Sequence, residues 1–125
     1  MSAVATMKLK GVTDAACARR ALELMNFAPV REPSSYPRGA IATVNGADLG
    51  VGHPFHLVQG KDGEIAYHYD SDDTAALAAR AGGTIETRIA QYYAAAKAEK
   101  HLADNGYSCE VVKDGGNVQV VGTAW

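Results

Sequence analysis

Three of the four histidines, His53, His56 and His68, fall in or beside one stretch that reads as a hairpin. Imidazole both ligates zinc and moves protons near neutral pH, so these residues form the most metal-like cluster in the chain. Spacing decides whether they converge. Pro54 rules out a helical turn between His53 and His56, and on extended chain residues three apart point to opposite faces. His68 stands on the facing strand, with Asp70 or Cys109 available to complete a set. That geometry argues against a closed site, so neither a metal nor a cofactor is expected.

Other chemistry fares worse. Gly46, Gly50 and Gly52 lie close together, but no Gly-Lys-Ser/Thr follows and no helix is expected to begin there. A phosphate cradle is therefore excluded in favour of turns. Asp70, Asp72 and Asp73 lack the roughly twelve-residue loop and distal Glu of a calcium-binding hand, and read as caps for the Ala-rich segment after them. Cys17 or Cys109 with His101 could form a nucleophilic pair, yet each cysteine falls on an apolar face, where burial raises the thiol pKa and silences it. No serine sits in a nucleophile-elbow motif. Tyr92 and Tyr93 read as core aromatics. Lacking a convergent acid, base and nucleophile, the chain reads as non-enzymatic.

The segment Ala28 to Gly39 is different in kind. Pro29, Pro33 and Pro37 limit its conformational entropy, and Arg31, Tyr36 and Arg38 are residue types that dominate interface hot spots. The expectation is a small protein-interaction module, an adaptor, modulator or inhibitor that captures a protein partner through Arg31, Tyr36 and Arg38. The alternative is a small-molecule or metal-dependent enzyme with its site around His53, His56 and His68.

Composition bounds these readings. A chain of 125 residues, 47% hydrophobic and 21% charged, suits one globular domain spanning residues 1–125. A net charge of -2 lacks the positive field that a phosphate backbone requires, which excludes nucleic acid as a partner. No apolar run approaches the roughly 20 residues that span a bilayer, and MSAVATMKLK has no long apolar stretch after a basic region. A cytoplasmic protein without membrane contact is expected, its two cysteines reduced and buried.

The elements that must position these groups follow from periodicity. Val4 to Lys10 alternates, with Met7 and Leu9 expected to face the core. Thr13 or Asp14 caps a first helix ending near Asn26. Ala40 to Val44 is a short strand before the Asn45-Gly46 turn signal. Phe55–Gln59 and Glu64–Asp70 form a hairpin over Gly60–Gly63, with Ile65, Tyr67 and Tyr69 on one face and Ala66, His68 and Asp70 on the other. An Ala-rich helical turn or two reaches Arg80. The longest helical pattern runs from Thr84 to Gly106, where Ile85, Ile89, Tyr92, Tyr93, Ala96 and Ala103 share a face to be buried across a sheet. Tyr107–Val112 and Asn117–Val121 make a final hairpin. The order βαβββαββ implies an α+β two-layer sandwich, an antiparallel or mixed sheet with two main helices on one face.

This arrangement resembles an uncharacterised family named for hypothetical chloroplast reading frame thirty-five, with cyanobacterial, plastid, bacterial and phage members. The resemblance rests on Val4-Ala5-Thr6-Met7-Lys8, on Lys61-Asp62-Gly63, and above all on the last forty residues: Arg88-Ile89-Ala90-Gln91-Tyr92-Tyr93, Glu99-Lys100, Asn105-Gly106-Tyr107, Asp114-Gly115 and Trp125. Ser71-Asp72-Asp73 departs from the Trp expected after Asp70. These are motifs of a scaffold. The resemblance implies the α+β fold and an accessory role in a bacterium or phage, with no activity or site residue attached.

Overall fold

The computed structural model describes residues 4–124. Trp125, one of the residues carrying the family resemblance, lies outside them. The chain is α+β. In order, it forms β1 (Val4–Lys8), α1 (Ala15–Leu24), β2 (Ala40–Val44), the one-turn α2 (Gly46–Leu49), β3 (Phe55–Gln59), β4 (Ile65–Asp70), a 3-10 turn (Ser71–Asp73), α3 (Thr74–Ala81), α4 (Ile85–Asp104), β5 (Tyr107–Asp114) and β6 (Asn117–Ala124).

The main sheet is antiparallel in the order β1-β4-β3-β2. Hairpin chemistry accounts for its centre, because the Gly60–Gly63 turn closes with a Gly63 N–H to Gly60 carbonyl bond and pairs Gln59 with Ile65. Along β4 burial alternates as the sequence requires: Ile65, Tyr67 and Tyr69 enter the core, while Ala66, His68 and Asp70 turn away. Met7 departs from expectation. On an edge strand it is 49% exposed, its sulfur accepting from the Tyr67 hydroxyl, whereas Leu9 is buried.

Helix ends follow their caps. Asp14 accepts from the Cys17 amide and starts α1, and Thr84 accepts from the Thr87 amide and starts α4. The α4 face expected to be buried holds for Ile85, Ile89, Tyr92 and Ala96, whereas Tyr93 is half-buried and Ala103 is exposed, the last turn meeting the final hairpin through Leu102 beside Gly122 instead. One partner is α1, and the other is the β5–β6 hairpin, which forms a separate sheet and lays Val111, Val118 and Val120 toward the core. Helix α4 therefore lies between α1 and this hairpin. A single apolar cluster, with Phe27, Phe55, Leu57 and Ile89 wholly buried, joins these elements to the main sheet.

Asn45-Gly46 does not make a simple turn: Asn45 precedes the helical turn α2, contrary to the expectation that no helix begins there. Gly46 is required by proximity, since a Cβ would lie 2.7 Å from the His53 carbonyl oxygen and 2.8 Å from that of Val51. That contact folds residues 50–53 back over α2 and fixes where His53 stands.

Candidate functional site

The sheet face turned away from the helices carries a polar row to which every strand contributes. His56 on β3 is the register partner of His68 on β4, Thr43 on β2 pairs with His56, and Thr6 on β1 pairs with His68. The Thr43 hydroxyl lies 3.0 Å from His56 Nδ1, and the Thr6 hydroxyl 3.2 Å from His68 Nδ1. Between them the two imidazoles meet edge to face, with centroids 6.0 Å apart. Burial, reinforced by the neighbouring His68, pushes the His56 imidazole below its ordinary pKa.

The proline-containing loop is strapped beside this row. Val30 N–H donates to the Thr43 carbonyl at 2.8 Å, Ser34 N–H to the Thr43 hydroxyl at 2.9 Å, and Arg19 to the Val30 carbonyl at 2.6 Å. At its tip Tyr36, 71% exposed, sets its ring edge-on to His68. Loop and sheet enclose a cleft of about 550 Å³, walled by Val4, Val30, Pro54 and Tyr36 and floored by the histidines.

His53 and His56 line this same cleft rather than facing apart, because His53 precedes β3 on the segment folded over α2 and does not follow strand alternation. Its Nδ1 donates to Asp73 at 3.3 Å, and its Nε2 lies 3.6 Å from Asp70. The expected capping by the aspartates is thus divided. Asp70 accepts from the Asp72 amide, but Asp73 makes no side-chain cap bond and is engaged by His53.

The three histidines and Tyr36 come together, whereas Arg31 and Arg38 are exposed and do not line the cleft. Cys109 is half-buried on the distant hairpin, its thiol donating to the Glu99 carbonyl, and takes no part. Cys17 is buried and its thiol pKa is pushed up by that burial, as its helix position implies. Among the described residues no group of three or more His, Cys, Asp or Glu side chains is disposed to hold a metal ion.

Thr43, Thr6, Ser34 and Asp73 were not legible as site residues. The His56–His68 pair had a signal, because a hairpin closed over Gly60–Gly63 that pairs Gln59 with Ile65 sets those histidines opposite one another. The threonines had none, since β1 and β2 reach the sheet through non-local pairing. No protein-family model, curated protein or solved structure matches this chain.

Proposed function

We propose that the protein is a small-molecule-binding domain whose site is the cleft between the outer face of the main sheet and the proline-containing loop. The observation that carries this reading is convergence: three histidines and Thr43 meet in one recess of about 550 Å³ with mainly apolar walls. Ligand sites are of this size and make-up, an apolar cavity with a few placed polar groups. The reading needs no catalytic step.

The test is a fragment screen followed by amide chemical-shift mapping on the intact chain. Fragments that bind should shift Tyr36, Thr43, His56 and His68 together, and His68→Ala should weaken them at least about tenfold, a change of about 1.4 kcal/mol. A library without one cleft binder would overturn the reading.

A second reading, docking of another protein on the loop itself, is favoured by the exposure of Tyr36 at the loop tip with Arg31 and Arg38 also exposed. It differs in what it requires. Tyr36→Ala with Arg38→Ala would then abolish partner capture while His68→Ala would leave capture intact.

A further inference from the structure

The hydrogen bonds behind His56 determine what the cleft can recognise. The Thr43 hydroxyl accepts from Ser34 N–H at 2.9 Å and has a single proton of its own. Thr43 is buried, and the acceptor beside that proton is His56 Nδ1 at 3.0 Å. The hydroxyl donates there, since the opposite arrangement would leave a buried hydroxyl proton without an acceptor. A neutral imidazole that accepts at Nδ1 carries its proton on Nε2.

That second nitrogen opens on the cleft. Among the described residues no buried side-chain nitrogen or oxygen lacks a partner, and His56 Nε2 is bonded to no protein group. With only 5% of the residue exposed, solvent reaches it through the cleft that His56 lines. His68 is different: its Nδ1 partner, Thr6, is exposed and free to rotate, so no second hydrogen bond fixes its tautomer.

We infer that His56 is a tautomer-locked hydrogen-bond donor, set by the relay Ser34 N–H to Thr43 hydroxyl to His56 Nδ1, and that the cleft takes an uncharged planar molecule bearing a carbonyl. The inference rests on the small-molecule reading and narrows it. An anion is disfavoured because Glu32 and Asp70 are among the lining residues and no lysine or arginine is. An ammonium group could meet a lining carboxylate such as Glu32, but it leaves the fixed His56 N–H on the cleft floor without an acceptor. A carbonyl oxygen on a flat, neutral ring meets both conditions, with Val30 and Pro54 flanking the ring.

Two measurements on the full chain test this. Long-range proton–nitrogen NMR at neutral pH should show His56 protonated on Nε2 in the free protein, and Thr43→Val should let the other tautomer appear. In parallel, 2-pyridone, benzoate and benzylamine are titrated as neutral, anionic and cationic rings of equal size. The neutral ring should bind at least about tenfold more tightly than either charged one, and Thr43→Val should erase that preference. An Nδ1-protonated His56 in the unaltered protein, or charged rings binding as well as 2-pyridone, would overturn the inference. The wild-type tautomer is read without any substitution, so a poorly folding variant does not blunt the test. If the fragment library yields cleft binders while 2-pyridone fails, this inference falls and the small-molecule reading stands. If the library yields none, both fall.

Discussion

His56 shows how one side chain's surroundings set its chemistry. Burial and, after it, the adjacent His68 disfavour its charged form, so its folded pKa lies below its ordinary value. The sign of the consequence is fixed by linkage. Above the unfolded value neither state binds the proton, and His56 contributes no pH dependence. Below it the unfolded chain takes up a proton that the folded chain refuses, so stability falls with pH until the folded pKa is also passed. Denaturant unfolding should therefore show the protein losing stability between about pH 7 and pH 5, the range where an ordinary histidine titrates, and His56→Gln should flatten that slope. An unchanged slope in His56→Gln would mean that other groups carry the acid sensitivity. This environment has no local signature in the chain, because β2 and the loop that bury His56 are placed by tertiary pairing.

At the scale of elements, local signals and tertiary packing divide the explanation. Caps and periodicity were sufficient for α4: Thr84 starts it, Gly106 at φ 84 stops it, and the stripe through Ile89 and Tyr92 is buried. They were insufficient for its surroundings, since no local pattern says that the last hairpin forms its own sheet against α4. They also misread Ala103, whose spacing fits the stripe but which is exposed while its neighbour Leu102 faces Gly122 of the hairpin. The distinction predicts a contrast along this one helix. Ile89→Asp places an unpaired charge in a wholly buried position and should cost several kcal/mol, enough to unfold a domain of about 5–15 kcal/mol stability. Lys97→Ala, on the exposed side and facing Asp14 only at 3.9 Å, should change stability by about 0.5 kcal/mol or less. Thermal midpoints for the two variants that coincide would refute the placement of this helix between α1 and the hairpin.

The molecule as a whole is tied together by Arg88, the fourth residue of α4. It is 9% exposed. Its guanidinium donates to the Ala81 carbonyl at 2.8 Å, to Gln91 at 2.7 Å, to the Gly116 carbonyl at 3.0 Å and to the Tyr92 hydroxyl at 3.2 Å. One side chain thus joins the end of α3, two turns of α4 and the tip of the last hairpin. Lys113 adds a second tie by donating to the Leu24 carbonyl at the end of α1. The planar fork is what makes four bonds possible, and lysine, with a compact point charge, cannot reproduce it. Arg88→Ala leaves the buried Ala81 carbonyl and Tyr92 hydroxyl without this donor and should cost about 3 kcal/mol, while Arg88→Lys should recover less than half of that. The loss should also be uneven. Without the Gly116 bond, hydrogen exchange of β5 and β6 amides should accelerate more than that of β3 and β4, which the main sheet holds independently. Uniform acceleration across both sheets would instead show that the hairpin and the main sheet open as a single unit, with Arg88 contributing to the core and not to the docking of the hairpin.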